Sequence, residues 1–527
     1  MMRYGLASAT ADNTLAIQAS VNQSSHGGNN PYCPIGKYVF KTNIYGYYHL
    51  TNNPGFMPYV GGSTDYLQGH ISIFGERPLT YGPWDADTTD SRKKGSQLSF
   101  DPAGGTGDGW LMGNDTLARH RAFKFKHLTL SGGTSGVIIK FIGSSLKCGL
   151  EDCTVFQSST GGGLYFEDCW GMAIHSTYCR NSGAANVGYG IQYRKLNLGG
   201  GIGLIIDSNF KGFKFGGEFG EYGWVSGDAL TLQTVAIYHT EFGGSAQRSS
   251  QDGILLGQHT AGVTLFDTYV ENCTRSILRA DGQHISITIT GGHFAVDPAC
   301  TDNAMVFGVS GGTAAQNRQQ TVNINGGADF TGLPSNRSYI ERNVGNNTGS
   351  MNIEGIHAAS ASVTGTKFLE INGDGAGVKL DGNDLYSTTA FAQEYSISGS
   401  GPIDYYRSGN RTDGTLGDTF IKGIRQYGAQ TYTYAAAAQD IDNTYQIQKF
   451  DSTGGAFTVH AQDGIIAGHR QYHILEVDGG DVTLDYTTDT SRKGTLSATQ
   501  TFNDVNDILI TEWDGSDWTL VHNDGTI

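Results

Sequence analysis

Three glutamates in this 527-residue chain have the spacing and surroundings that acid–base chemistry needs. Glu218 and Glu221 lie three residues apart in the glycine-rich segment GGEFGEYG (216–223), and Glu241 follows in HTEF (239–242). Hydrolysis of a glycosidic bond requires one carboxylic acid and one carboxylate about 5 to 9.5 Å apart. For each acid, the competing interpretation is a solvated surface side chain. The predicted catalytic residues are Glu218, Glu221 and Glu241, with Asp207, Asp228 and His239 assisting.

Aromatic side chains are dense near these acids, in two long segments at 181–200 and 211–228. Sugar rings present C–H faces that stack on aromatic rings, while their hydroxyls need hydrogen-bond partners. Aromatic rings beside carboxylates therefore suit an extended glycan, and the two segments are predicted to form the walls of its groove. The alternative is that half or more of these rings pack the loops. The predicted substrate-binding residues are Tyr189, Tyr193, Arg194, Lys195, Tyr222, Trp224, Tyr269 and His293.

The rival chemistry is β-elimination on a uronate-containing polymer. It needs a cation or a metal ion such as Ca²⁺ to neutralise the substrate carboxylate, and a base to remove a ring proton. Arg194 and Lys195, with Tyr238 and His239, are the candidates for these roles. Hydrolysis by paired carboxylates needs no cofactor, and we predict no metal site for it. A third hypothesis is a glycan-binding protein that uses the same aromatic groove without turnover.

An internal repeat predicts the elements that hold these residues. The segment VAIYHTEF (235–242) defines a pattern of apolar positions that recurs from Leu130 to Phe294 at intervals of 23 to 32 residues. Such a unit cannot bury its apolar face alone, but units stacked about 4.8 Å apart make a continuous core. The predicted fold is all-β, a right-handed single-stranded parallel β-helix of around ten coils. Each unit contributes two short strands separated by a bend, and the 77 glycines gather at the turns.

The repeat also predicts which side chains face outward. Corner residues, among them Asp207, His239 and Asp267, should stack about 5 Å apart. Corner carboxylates commonly bond the backbone of their own turn, so we weigh a structural role above a catalytic one for Asp207 and Asp267. The positions just before the last apolar column are predicted to lie on an outer strand face; they are Tyr178, Asn209, Glu241, Tyr269 and His293.

Composition excludes several classes of protein. With 34 Lys and Arg against 50 Asp and Glu, the net charge of −16 disfavours binding to nucleic acid or to an anionic membrane. No apolar run approaches the ~20 residues that span a bilayer, and the first residues contain no hydrophobic signal core. The seven cysteines have no zinc-binding spacing. We predict buried, reduced thiols.

Two segments near the N-terminus carry a family resemblance. ADNTLAIQASVNQ (11–23) predicts a helix capped by Asp12 or Asn13, with Ile17 and Val21 on one face, and PIGKYVF (34–40) predicts a turn followed by a strand. Together they resemble the DDTxAIQxAI and PxGxYxV signature of the pectate-lyase-like β-helix proteins of bacteriophage tailspikes. The matching residues are Asp12, Thr14, Ala16, Ile17, Gln18, Pro34, Gly36 and Tyr38.

The resemblance implies a function and an assembly. It implies an endo-acting depolymerase of bacterial capsular, O-antigen or exopolysaccharide that forms a homotrimer. It also implies a place on the phage tail, action outside the host cell, and contacts with tail adaptor proteins. The head-binding domain expected at the N-terminus of such proteins is not recognisable in the sequence.

Changes in the repeat predict three regions. Residues 1–60 form an N-terminal cap with the helix and first strands, and 61–385 form the β-helix that binds and cleaves glycan. After Leu385 the sequence repeat is lost, and 386–527 is predicted to be an antiparallel β domain for trimerisation or carbohydrate binding. Within it, EWDGSDW (512–518) predicts a hairpin with Asp514 and Gly515 at its turn.

Overall fold

The computed structural model describes residues 12–25, 30–47, 71–78, 95–113, 123–144, 148–181, 187–194, 201–220, 233–244, 250–257, 260–281, 284–297, 300–308, 319–332, 337–343, 349–360, 367–372, 376–381, 383–387, 393–398, 405–408, 411–412, 426–443, 445–464 and 469–523.

The chain is an all-β parallel β-solenoid, which confirms the predicted fold class. Three parallel sheets of thirteen, thirteen and twelve strands run along it, and each coil contributes one strand to each sheet in turn. Sheet 1 contains β1 (Tyr32–Cys33), β4 (Ile71–Gly75), β7 (Phe123–Lys126), β10 (Cys148–Glu151), β13 (Gly171–His175), β16 (Ile202–Ile206), β19 (Gln233–Tyr238), β22 (Thr260–Phe266), β25 (His284–Thr290), β28 (Gln319–Asn325), β31 (Gly349–Glu354), β34 (Ala376–Asp381) and β37 (Tyr405–Ser408).

The other two sheets repeat the same order. Sheet 2 contains β2 (Gly36–Phe40), β5 (Ser96–Phe100), β8 (Thr129–Gly132), β11 (Thr154–Gln157), β14 (Tyr178–Asn181), β17 (Asn209–Lys211), β20 (Glu241–Gly243), β23 (Tyr269–Glu271), β26 (His293–Ala295), β29 (Asp329–Thr331), β32 (His357–Ser360), β35 (Asp384–Ser387) and β38 (Arg411–Thr412). Sheet 3 contains β3 (Ile44–Tyr45), β6 (Trp110–Gly113), β9 (Val137–Ile142), β12 (Gly162–Glu167), β15 (Tyr189–Arg194), β18 (Phe215–Phe219), β21 (Ser250–Leu256), β24 (Cys273–Ala280), β27 (Met305–Phe307), β30 (Ser338–Asn343), β33 (Lys367–Asn372) and β36 (Gln393–Ser398).

The sequence repeat did not predict the third strand of each coil. The predicted pattern covers only the strands of sheets 1 and 2. The segments 181–200 and 211–228, expected to be loop insertions, contain β15 and β18 of sheet 3. Three of their aromatic rings, on Tyr193, Phe213 and Phe219, are fully buried in the core.

The predicted apolar columns form the stacked core. Leu130, Phe210, Phe242 and Phe294 are all fully buried, and the rings of Phe210 and Phe242 stack with centroids 5.2 Å apart. In the coil at 148–155, Val155 is the residue in register with Leu130.

The corner between sheets 1 and 2 is a column of left-handed residues. Asp152, Ser176, Asp207, His239 and Asp267 have φ values from 45° to 49°. Residues with short polar side chains tolerate this conformation better than β-branched ones. The corner geometry therefore accounts for the residue types that recur there, and it confirms the predicted bend.

The N-terminal helix α1 (Thr14–Ser25) is confirmed, and Ile17 and Val21 are buried on its inner face. The Asp12 carboxylate accepts hydrogen bonds from the backbone N–H of Thr14 at 3.0 Å and from its hydroxyl at 2.6 Å. The Pro-Ile-Gly turn leads into β2 at Gly36, as predicted. All seven cysteines are free and buried, which confirms the predicted thiols.

The C-terminal region forms two mixed sheets, so a purely antiparallel domain is not what the structure shows. One sheet has the order β39 (Gln426–Thr433), β41 (Tyr445–Asp451), β43 (His469–Val477), β46 (Ile508–Trp513) and β47 (Trp518–Asn523). The other has the order β40 (Gln439–Asp440), β42 (Phe457–Gln462), β44 (Val482–Asp489) and β45 (Thr499–Phe502). Pairings up to β43 and β44 are parallel, and only the last strand pairs are antiparallel. The hairpin from β46 to β47 is confirmed, with Asp514 and Gly515 in its turn.

Candidate functional site

A row of polar and aromatic side chains follows the outer face of sheet 2. The five residues predicted to face outward are in register on five successive strands, and the row continues for two more strands. Its members, in order along the solenoid, are Tyr178, Asn209, Glu241, Tyr269, His293, Asp329 and His357. Since adjacent strands are about 4.8 Å apart, the row is roughly 30 Å long.

Two carboxylates share one ammonium group in the middle of this row. Lys211 forms ion pairs with both Glu241 and Glu271, which lie on β20 and β23. The two carboxylate side chains are 29% and 25% exposed, whereas the lysine side chain is only 10% exposed. The acids are thus within reach of a ligand in solvent, and the cation lies largely beneath them.

Neutral donors complete this group. The Asn209 amide donates to Glu241, and the Tyr269 hydroxyl donates to Oε2 of Glu271 at 2.9 Å. Burial alone would raise the pKa of Glu271, but the hydrogen bonds from Lys211 and Tyr269 outweigh it and lower that pKa below its ordinary value. Burial and the same bond raise the pKa of Tyr269 to about 12. Glu271 is therefore ionised at neutral pH, and Tyr269 keeps its proton.

Lys211 and Glu271 were missed from the sequence, although a signal was present. Each comes two residues after an outward position, Asn209 or Tyr269, and side chains two apart on a strand share a face. The next outward residue on each strand, two positions after the predicted one, is Lys211 on β17 and Glu271 on β23.

The ring of Tyr269 is occupied on its faces. Its centroid lies 5.1 Å from that of His293 in a stacked arrangement with an interplanar angle of 17°, and the Lys211 ammonium lies over the ring at 5.8 Å. A sugar would therefore meet the edge of the Tyr269 ring rather than stack on it. Tyr269 and His293 lie in the same outward row as Glu241, as predicted.

Glu218 belongs to a second, buried group on sheet 3. Its carboxylate is 1% exposed and accepts hydrogen bonds from Arg194 at 2.9 and 3.1 Å and from Gln192 at 2.6 Å. The pKa of Tyr189 is raised to about 12, first by burial and then by the charge of Glu218, so this ring is close to the carboxylate. The structure thus brings together Glu218, Arg194 and Tyr189.

The predicted convergence of Glu218 and Glu241 is not what the structure shows. Glu218 pairs along the backbone with Gln192 and Leu255 in sheet 3, whereas Glu241 pairs with Asn209 and Tyr269 in sheet 2. Because the two side chains are on the outer faces of different sheets, they belong to separate groups. Tyr193, predicted to bind substrate, is a fully buried core residue whose hydroxyl donates to the Cys169 carbonyl at 3.1 Å.

Asp207 and His239 form a third group at the left-handed corner. Nδ1 of His239 is 3.3 Å from Oδ1 of Asp207, and Nε2 of His175 is 3.5 Å from its other oxygen. The side chains of Asp207 and His239 are about half exposed. Of the residues considered for β-elimination, Arg194 lies on sheet 3 and His239 on the corner between sheets 1 and 2, so the structure places these two in separate groups.

Other predicted residues lie outside the described part of the chain; they are Glu221, Asp228, Lys195, Tyr222 and Trp224. Among the residues that the structure does describe, no three His, Cys, Asp or Glu side chains are placed to hold a metal ion. In the same residues, no helix has the length and apolar character needed to cross a bilayer.

Comparison with known proteins shows a distant structural likeness. No protein-family model and no curated protein sequence matches the chain. The tailspike of Pseudomonas phage phi297 is 12% identical with a TM-score of 0.39, over 77% of this chain and 75% of its own. The surface adhesin PfbA of Streptococcus pneumoniae is 10% identical with a TM-score of 0.31, over 99% and 98%. The DFA-IIIase of Arthrobacter chlorophenolicus is 10% identical with a TM-score of 0.33, over 85% and 93%. The chain is thus distantly similar in structure to phage tailspikes and other parallel β-helix proteins.

Proposed function

We propose that the chain is an endo-acting polysaccharide hydrolase of phage-tailspike type that cleaves a bacterial capsular, O-antigen or exopolysaccharide. One observation carries the proposal: Glu241 and Glu271 converge on the single ammonium group of Lys211 at an exposed strand face. The row from Tyr178 to His357 would hold the glycan along the solenoid axis. The comparisons support the fold on which this site lies.

The separation of the two carboxylates suits glycosidic chemistry. Charge-assisted N–O contacts are about 3 Å or less, so the two oxygens that contact Lys211 lie within about 6 Å of each other. Retaining glycosidases place their two carboxyl groups about 5 to 5.5 Å apart. The limit on the oxygen separation is compatible with this spacing, so the mechanism that we propose is a retaining one with a covalent glycosyl intermediate.

The environments of the two acids suggest their roles. The lowered pKa of Glu271 keeps it ionised, as a nucleophile must be. Glu241 would then be the acid: it takes up a proton when substrate displaces water from the pair, passes this proton to the leaving oxygen, and later removes a proton from the attacking water. Lys211 holds the pair in place before substrate binds, and its charge stabilises the glutamate that is ionised at each step.

Substitution of both acids tests the proposal. Glu241→Gln and Glu271→Gln should each lower the release of reducing ends from a cleaved polysaccharide by roughly a hundredfold or more. Glu151→Gln is the matched control, because Glu151 is an outward-facing acid on sheet 1 that is also paired with a lysine, Lys126, at 2.7 Å. Equal rates for the parent protein and both site variants would overturn the hydrolase assignment.

Product chemistry separates the alternatives. Unsaturated uronates, detected by their ultraviolet absorbance, would identify a lyase instead of a hydrolase. A parent protein that binds glycan but releases no oligosaccharide would be a receptor-binding protein without turnover.

The assembly is part of the same proposal. We propose a homotrimer in which the solenoid binds glycan and the C-terminal region mediates trimerisation or further carbohydrate binding. The predicted boundary at 385 moves toward the C-terminus, because β36, β37 and β38 still belong to the solenoid sheets. The expected result is a trimer mass in sedimentation or light scattering, and a monomer mass would remove this part of the proposal.

A further inference from the structure

The far end of the sheet 2 row contains a carboxylate between two imidazoles. Oδ2 of Asp329 is 2.7 Å from Nδ1 of His293, and Oδ1 is 2.8 Å from Nδ1 of His357. The three residues lie in register on β26, β29 and β32. Their side chains are 34%, 33% and 46% exposed for His293, Asp329 and His357, so this group is open to a ligand.

Asp329 determines which nitrogen of each ring carries the proton. An ionised carboxylate only accepts hydrogen bonds, so Nδ1 of both rings must be the donor. In a neutral imidazole the other nitrogen, Nε2, is then an acceptor. His293 and His357 are two strands apart, so they place two such acceptors about 10 Å apart along the solenoid axis.

The group is continuous with the proposed catalytic acids. His293 stacks on Tyr269, and the hydroxyl of Tyr269 bonds Glu271. The Thr331 hydroxyl on β29 lies 3.4 Å from Nε2 of His293 and can donate to it, so a sugar hydroxyl at His293 would share or replace this long hydrogen bond. A glycan that occupies the catalytic pair and runs along the axis would next meet His293 and then His357.

We propose that His293, Asp329 and His357 form a specificity-determining subsite for an uncharged, hydroxyl-rich part of the glycan. The inference rests on the proposed function of the same face. Among the side chains that the structure describes along this row, the charged groups near the subsite are Glu271 from β23, Asp329 itself, and Glu241 with Lys211 further along. Beyond His357, the strand register continues to Asp384 and then Arg411. An anionic sugar would be repelled there at neutral pH, whereas sugar hydroxyls can donate to both Nε2 atoms.

Asp329 acts through the two histidines and is a positioning residue. Asp329→Asn removes the charge that fixes both tautomers, so roughly a tenfold loss of affinity for a neutral oligosaccharide is expected, the equivalent of one or two neutral hydrogen bonds. The nitrogen chemical shifts of both imidazoles should show a proton on Nδ1 in the parent and a mixture of tautomers in Asp329→Asn. A purely structural contact between coils would not change the tautomers.

The experiment uses the full chain with Glu241→Gln, so that binding is measured without turnover. The probes are linear neutral glucan and galactan oligosaccharides and linear uronate oligosaccharides of graded length. Asp152→Asn is the matched control, because Asp152 bonds Nδ1 of His127 at 2.9 Å at the corner, away from the row. We expect weaker binding of neutral probes by Asp329→Asn, His293→Gln and His357→Gln, and unchanged binding by Asp152→Asn.

Three outcomes would overturn the subsite: equal affinity in Asp329→Asn and its parent, tighter binding of uronate than neutral probes at neutral pH, or no binding of any probe. Failure of the proposed function is a different result. It would appear as undiminished hydrolysis in Glu241→Gln and Glu271→Gln, whether or not Asp329→Asn weakens binding.

Discussion

Replacement of Lys211 by methionine tests whether the two carboxylates depend on one shared charge. Methionine keeps an unbranched apolar side chain in the nearly buried position of Lys211 but leaves Glu241 and Glu271 without their cation. Two unit charges about 6 Å apart repel by roughly 3 kcal/mol at an effective dielectric constant of 20. Solvent reaches about a quarter of each carboxylate, so a net destabilisation of about 1 to 2 kcal/mol is expected.

The effect should depend on pH in a defined direction. The pKa of Glu271 is lowered in the folded protein, so its contribution to stability is fully present above the ordinary glutamate pKa and is lost as pH falls through the folded value. The variant lacks most of this contribution. The stability difference between parent and variant should therefore be greatest at neutral pH and should shrink in acid.

Calorimetry can measure this difference. If the whole chain unfolds cooperatively, about 1 to 2 kcal/mol corresponds to a fall in Tm of roughly 1 to 2 °C, and more if only nearby coils unfold. Lys214→Met is the control, because the Lys214 ammonium lies over the Phe215 ring at 5.0 Å rather than between two acids. Equal Tm values for Lys211→Met and its parent at neutral pH, or a difference that persists in acid, would refute the shared-charge reasoning.

Three further predictions concern the solenoid. Asp207→Val should lower the unfolding free energy by about 1 to 2 kcal/mol because φ is 48° there, whereas Asp207→Asn should be nearly neutral, as thermal denaturation will show. Arg275→Met should cost about 3 to 5 kcal/mol, because the fully buried carboxylate of Asp252 loses its cation; an unchanged Tm would contradict this. Burial raises the pKa of Cys33 and Cys153 to about 12, so a thiol reagent at mildly alkaline pH should label them only after unfolding, and labelling of the native protein would count against their burial.

The sequence predicted the solenoid well because coil stacking repeats one physical requirement. Each coil must bury an apolar residue on either side of the corner, and this makes columns such as the one through Phe210 and Phe242 visible in a single sequence. The strands of sheet 3 escaped because their inward positions are less regular. In β18, glycines at 216 and 217 face the core, where a Cβ would lie 3.0 to 3.1 Å from atoms of Phe242. Because glycine has no apolar side chain, a search for recurring apolar residues does not detect these core positions.

The site was harder to predict than the fold. The repeat indicates whether a side chain faces the core or the solvent, but it does not indicate on which of the three sheets a residue outside the repeat lies. The outward register of Glu241, Tyr269 and His293 was predictable, since side chains before an inward column must face solvent. The repeat predicts a loop insertion for the segment that contains Glu218, and a loop could bring Glu218 to Glu241. Once β18 is assigned to sheet 3, the two glutamates are on different faces.

Exposure decides which carboxylate group is the better candidate for catalysis. Glu218 has both oxygens engaged by Arg194 and Gln192 and almost no contact with solvent, so a substrate would have to break a buried ion pair to reach it. Breaking such a pair costs several kcal/mol. Glu241 and Glu271 require only that a glycan displace solvent from acids already a quarter exposed. The sheet 3 group is therefore better suited to holding neighbouring coils together, and the sheet 2 group to contact with a polymer outside the solenoid.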